Sequence, residues 1–463
     1  MQTQKYDLTE GNILQKLFLV AAPIMGTQFL QMTYNLTDMF WMGRVGPAAV
    51  AAVGTAGMYM WLSVAFMMFG RMGAEIGVSQ SIGRGDRKAA CAYAQNAMFL
   101  AAVSGLVFAV FAISLRYTLI GFFAIQEAHV AQNAATYLAI VSTGMPAVFL
   151  NAAITGIFNG AGFSRPTFLT NGLGLVLNMI LTPIMIFILD FGIVGAAWAT
   201  VIAQSAVLIL NLLAIRVLSI RPFPELYFFQ KPDMACLRQI FRWTTPISIE
   251  SAAFTLLSMV IGRFVAAFGA DALAIQRVGI QLESLSWLIA GGFSSALTAF
   301  MGQNYGRGRF SRICEGSAVS MKIMIAWGLF ATAIPWLFGR PMFALFLPEE
   351  PILSEGVLFL RILSVCQLFM CLEAWAAGIF RGLGKTIPPS ISTITGNALR
   401  IPLSYALSLT TLGVTGLWWG IVLGACLRGV IIVTWYLLYA RKLPREDVPE
   451  KEPEPEAAEK ILF

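Results

Sequence analysis

The chain has 463 residues, 58% of them hydrophobic and only 12% charged, with a net charge of +7, six cysteines and one histidine. A soluble domain carries about twice that charged fraction, and many apolar runs here reach the roughly 20 residues that cross a bilayer, so the composition points to a polytopic helical membrane protein; a β-barrel would show weak alternation instead. The positive charge lies in short loops between apolar segments, where it sets topology and gives no sign of nucleic-acid binding, while the lone His129 and cysteines without a CxxC pair leave no basis for a metal centre or a disulfide framework.

The N-terminal stretch MQTQKYDLTEGN is polar and leads into a segment too long for a signal h-region, so no cleavable signal peptide is expected. Twelve transmembrane helices follow, at 14–41, 52–79, 90–115, 128–156, 166–190 and 192–217, then 238–266, 272–300, 312–338, 352–379, 387–410 and 413–440. The intervening residues 218–237 hold three prolines and mixed charge and read as a cytoplasmic linker. Residues 441–463 are Pro-rich and mostly charged, which predicts a disordered cytoplasmic tail. With the N-terminus inside, Lys16, Arg84, Arg87, Lys88, Arg165, Arg221, Arg238, Arg307, Arg309, Arg312, Arg381 and Lys385 collect on the cytoplasmic side. The outer loops hold chiefly Arg44, Arg116 and Arg340. Both termini are therefore expected in the cytoplasm.

The two halves repeat each other. VSQSIGRG at 78–85 returns as MGQNYGRG at 301–308, an offset of 223 that also pairs Pro23 with Pro246 and Gly46 with Gly269. GIFNGAG at 156–162 returns as GIFRGLG at 378–384, and GIVGAAW at 192–198 as GVTGLWW at 413–419. An even number of helices per half makes the repeats parallel, related by an axis along the membrane normal. The expected architecture is all-α, with an N-lobe over 1–217 and a C-lobe over 238–440 flanking a central cleft that opens to either face. The glycines of GRG and GIFxGxG are expected to make tight turns and close helix contacts. GRG is no phosphate loop, because no lysine follows at Walker spacing and no strand precedes it.

Charge inside a bilayer costs at least about 2.5 kcal/mol, so each instance needs a reason. Asp38, near the outer end of the first helix, is either an interfacial carboxylate solvated by headgroup water or a site for H⁺ or Na⁺. Its neighbours favour the second reading. Asn178 and Thr182 stand one turn apart on the fifth helix, Pro183 invites a local break there, and Thr200 on the sixth adds a hydroxyl; these supply hard oxygen ligands. Asn151 joins this candidate coupling set. It is also the residue on which Glu373 falls when the halves are overlaid, just as Glu250 falls on Thr27 and Asp38 on Ile261. The acids thus differ between lobes whose framework is shared. In the second lobe Glu250, Glu373, Gln281 and Glu283 are candidates, with pairing of the acids to Arg400 or Arg428 as the structural alternative. Arg71 and Glu75, four residues apart, read as a structural pair. Met32, Tyr34, Asn35 and Phe158 are expected to line a wide, adaptable cleft.

Together, the pattern Pro23…Asp38-Met-Phe-Trp-Met-Gly, VSQSIGRGD, MGQNYGRGR and FRGLGKT resembles the MATE (multidrug and toxic compound extrusion) transporters over about residues 10 to 440. The resemblance implies a monomeric antiporter in the bacterial inner membrane that needs no cofactor and expels organic, often cationic compounds in exchange for H⁺ or Na⁺. Asp38, Asn178 and Thr200 match the N-lobe cation site of the DinF-like branch. That branch usually carries a second acid where this chain has Thr182, so Asp38 is left as the main ionisable group of the lobe and the only place for Na⁺. Glu250 and Glu373 resemble the C-lobe acids of the NorM-like branch. A lipid-linked oligosaccharide flippase of the same superfamily is the alternative; flippases typically have more helices and more cleft arginines. A membrane enzyme would need a catalytic cluster that is missing here, and a channel would not need a two-lobe duplication.

Overall fold

In the computed structural model, residues 7–123, 125, 127–226, 231–444 and 446–448 are described. Among them the chain forms fifteen α-helices and no strand. The first half holds α1 (Ile13–Val45), α2 (Pro47–Gly83), α3 (Arg87–Ser114), the short α4 (Arg116–Gly121), α5 (Ala128–Thr143), α6 (Met145–Gly160), α7 (Arg165–Pro183) and α8 (Gly192–Arg216). The second holds α9 (Met234–Ala266), α10 (Ala270–Gly306), α11 (Phe310–Ala344), α12 (Ile352–Ser364), α13 (Gln367–Gly382), α14 (Ile387–Ser408) and α15 (Val414–Ala440).

Ten spans are long and apolar enough to cross a bilayer, with α12 and α13 counted as one; α5 and α6, bent by 48° across Gly144, make an eleventh. The twelfth is α14. Its 22 residues suffice in length, but Asn397 and Arg400 lower its hydropathy, and it packs in a hairpin with α15. The expected break in the fifth span is present. Pro183 has no N–H to give and crowds the preceding turn, and the helix continues as a π-turn over Ile184–Ile188.

The two GRG turns lie on one face of the bundle, called the GRG face below. Gly85 and Gly308 take φ of 75° and 74°, a conformation that a Cβ would strain. Asp86, next in the chain, caps α3 by accepting from the Ala89 amide at 2.8 Å.

At the GRG face the first helix of each half crosses into the other half. On α1, Ile13, Leu17, Val20, Ala21 and Ile24 belong to a core built from α10, α13 and α15. Reciprocally, Leu237 and Ile240 of α9 join the core of the first half, and Trp243 and Ile247 pack on Met72 and Ile76 of α2. Leu17 and Ile240, like Ile24 and Ile247, are repeat partners. A lobe boundary drawn in sequence therefore cuts through packing that the two halves share. The connection between the halves runs from Val217 to Asp233, with residues 227–230 outside the described ones.

The start of the C-terminal tail departs from the expected disorder. Asp447 accepts from the amide and hydroxyl of Ser311 at 2.9 and 2.8 Å, and the Val448 amide donates to the Gly308 carbonyl at 3.1 Å. The free first turn of α11 supplies donors that the acidic tail satisfies. Residues 445 and 449–463 lie outside the described ones.

Candidate ion and substrate site

The far half of α1 turns Asp38 toward α5, α7 and α8. Asp38 Oδ1, Asn178 Oδ1 and Thr182 Oγ1 are all buried without a hydrogen-bond partner. Asn178 and Thr182 are fully buried, at 0% exposure. Around them the Asn178 amide donates to the Tyr34 hydroxyl at 3.0 Å, and that hydroxyl also lies beside Thr200 and Gln204. Tyr137 of α5 stands beside both Asp38 and Thr200. Thr200 spends its own hydrogen on the Ala196 carbonyl at 3.1 Å, which leaves its oxygen as an acceptor. Trp41, one turn beyond Asp38, stacks edge-on against Phe187 of the π-turn at 6.0 Å, so the irregular turn after Pro183 is pinned to the helix that carries the acid.

The cluster brings together the predicted Asp38, Asn178, Thr182 and Thr200. It moves Tyr34 from its expected place on the cleft wall into the buried network, at 8% exposure. Tyr137 and Gln204 are members that the sequence did not single out; two polar groups one turn apart on α8 (Thr200, Gln204) were the available signal. Asn151 is spent on bracing. Its amide donates to the Gln204 carbonyl at 2.9 Å, and its oxygen accepts from Asn211 at 3.2 Å, which in turn accepts from Thr170 at 2.8 Å. Phe158 is not a cleft residue. It is 1% exposed, stacked on Phe163 in the core of the first half, because at its level α6 is enclosed by α2 and α3. Met32 is half-buried and Asn35 exposed.

The second half treats its acids differently. Glu373 meets Arg428 at 2.8 Å and accepts from Thr393 at 3.1 Å. Glu250 meets Arg381 at 3.3 Å and accepts from Ser390 at 2.9 Å. Glu283 accepts from Gln367 at 3.3 Å and lies beside Arg400 and Arg428. Gln281 is half-buried. Among the described residues no group of three or more His, Cys, Asp or Glu is placed to hold a metal ion.

At the GRG face the lobes are joined by a reciprocal pair of contacts. Gln80 Nε2 donates to the Gly382 carbonyl at 2.9 Å, and its repeat partner Gln303 donates to the carbonyl of Gly160, the partner of Gly382, at 3.0 Å. A side chain on Gly83 would strike the Gln303 backbone, and one on Gly306 would strike the Gln80 backbone. The motif glycines thus let α2 and α10 cross in direct backbone contact. Toward the opposite face, a Cβ added to Gly54 or Gly57 of α2 or to Gly262 of α9 would meet no atom within 4 Å, so these glycines make no such tight crossing.

These features coincide with a family comparison. The family model MatE matches residues 23–184 and again 246–406, starting at the repeated prolines Pro23 and Pro246. The chain belongs to the MatE family. A probable multidrug resistance protein NorM of Thermotoga maritima is 27% identical over 435 residues, covering 92% of each chain. The multidrug resistance protein PmpM of Pseudomonas aeruginosa is 24% identical, covering 94% of each. Among solved structures, the outward-facing conformation of a multidrug resistance MATE family transporter superposes with a TM-score of 0.88 at 23% identity, over 94% of this chain and 98% of that one. A Pyrococcus furiosus transporter of the same superfamily gives 0.88 at 22% identity, with the same coverage. The fold is thus the twelve-helix, two-lobed MatE architecture of a multi-pass membrane protein, in a family of transporters and not of enzymes.

Proposed function

We propose that this MatE protein is a secondary multidrug efflux antiporter of a bacterial inner membrane, with the GRG face and both termini toward the cytoplasm. It would export organic, often cationic compounds as a monomer in exchange for H⁺ or Na⁺, its two lobes corresponding to residues 1–217 and 238–440. The names of the relatives, all multidrug resistance proteins, support the transport class. The observation that carries the coupling reading is the set of three unpartnered oxygens at Asp38, Asn178 and Thr182. Buried acceptors left bare are costly, and a carboxylate, an amide oxygen and a hydroxyl on facing helices suit a proton or a small hard cation.

An ion arriving from the far face binds Asp38 and draws α1 toward α7. Since the other end of α1 sits in the core of the second half, movement of α1 reaches both lobes. Pro23 and Thr27, whose hydroxyl donates to the Pro23 carbonyl at 3.0 Å, mark the place where α1 can flex. Substrate then loses its inward-accessible site and leaves outward.

Ethidium efflux from proteoliposomes, under a Na⁺ gradient and a pH gradient imposed separately, tests this. One gradient should drive wild type, and neither should drive Asp38→Asn. Equal efflux by both proteins at equal abundance would remove Asp38 from the mechanism.

A further inference from the structure

The glutamine clasp at the GRG face is symmetric and neutral. Beside it lies a second cross-lobe contact that is neither. Glu75 of α2 is 0% exposed. Its Oε1 accepts from the hydroxyl of Ser295, on α10 of the other lobe, at 2.7 Å, while Oε2 has no partner. Asn159 of α6 also reaches Ser295, its amide donating at 3.4 Å. Two cations face the carboxylate: Arg71, one turn back on α2, and Arg381, from α13 of the opposite lobe. Arg381 in turn holds Glu250 of α9. The repeat makes the asymmetry plain. Glu75 falls on Thr298, whose hydroxyl bonds within its own lobe to the Ser294 and Gly378 carbonyls at 3.0 and 3.2 Å, and Asn159 falls on Arg381.

We propose that Glu75 is the asymmetric latch of the GRG face, a positioning residue that holds α2 against Ser295 of the other lobe, with Arg381 nearby, and so sets how readily the cleft opens on that side. The Ser295–Glu75 bond, at 2.7 Å, is shorter than the 2.9 and 3.0 Å bonds of the clasp, and it ties α2 directly to α10. It can also release. When the lobes separate, Arg71 stays one turn from Glu75 on α2 and Arg381 keeps Glu250, so each lobe retains an opposite charge near its own. A symmetric pair of acids would lack this property, because each would face an opposing acid and not an arginine.

The inference rests on the lobes rocking about this seam, as the antiport reading requires, but not on the choice of ion. Spin labels at Lys88→Cys and Lys385→Cys, both exposed and on opposite lobes, report the seam by pulsed dipolar spectroscopy in a cysteine-free background. Glu75→Gln should raise the long-distance population at least threefold, with a melting temperature within a few degrees of the parent, and Glu75→Asp should restore most of the short-distance population. Ser295→Ala, a smaller change, should shift it in the same direction. Wild-type distributions in both Glu75→Gln and Ser295→Ala would overturn the latch, as would loss of folding in both, which would assign the cluster to packing. A distance that never moves, under any gradient or in Asp38→Asn, would overturn the rocking reading together with the latch, whereas movement in Asp38→Asn alone would overturn only the latch.

Discussion

The two lobes share a scaffold and treat their buried charge in opposite ways. In the first lobe Asp38 sits among tyrosines, amides and hydroxyls with no arginine in contact, and three oxygens of its cluster are bare. In the second, Glu250 and Glu373 each hold an arginine within 3.3 and 2.8 Å. An acid already neutralised by a fixed cation gains little from a passing ion, and its pair serves to hold helices in place. An acid surrounded by neutral acceptors has no such partner and is free to take one. Under the proposed antiport, this contrast assigns the exchangeable ion to the first lobe and a holding role to the second.

The sharpest way to break the contrast is to neutralise one acid on each side. Asp38→Asn should lower gradient-driven ethidium efflux by at least about tenfold while leaving the fold intact, because the carboxylate has no protein partner to strand. Glu373→Gln should do the reverse. It leaves Arg428, 6% exposed, without its counter-charge, a change that costs on the order of 3–5 kcal/mol in buried pairs. The measurement is thermal unfolding in detergent alongside efflux per folded molecule; a normal melting temperature with lost coupling would move the ion site to the second lobe.

A side chain at the lobe crossing comes next in size. Gly306→Ala places a methyl against the Gln80 backbone, and backbone at a helix crossing cannot yield as a flexible side chain can. It should weaken closure at the GRG face, read as faster labelling of a cysteine at that seam. Unchanged labelling would mean that the crossing tolerates separation.

Smaller still is Tyr34→Phe, which removes the acceptor for the Asn178 amide. A single neutral hydrogen bond is worth about 0.5–1.5 kcal/mol, so ion affinity should change by roughly threefold to tenfold, measured as the concentration of coupling ion at half-maximal efflux. No shift would show that the tyrosine braces the site without tuning it.

Much of this was legible beforehand. Hydropathy and charge marked the spans, since apolar length and loop arginines are local properties of the chain. The broken α5–α6 span and the short α4 were not foreseen, because Gly144 in an apolar run gives no sign of a 48° bend. The clustered polar residues Asp38, Asn178, Thr182 and Thr200 could be picked out because polar groups in apolar helices stand out one at a time. Phe158 was misplaced because a phenylalanine facing a cleft and one facing a core look alike in sequence. Glu75 was read with Arg71 as a local pair, yet its Oε2 has no partner and its hydrogen bond comes from Ser295, 220 residues away.

By itself the sequence determined the duplication, the number of spans and the identity of the unusual charges, all of which follow from composition and spacing along the chain. Only the tertiary structure decided which glycines meet backbone across the seam, that α1 and α9 exchange lobes at the GRG face, and which acids have arginines. Those are contacts between residues hundreds of positions apart, fixed by how two similar halves pack. The same motif residue, Gln80 or Gln303, acquires its role only when its repeat partner's lobe is brought against it.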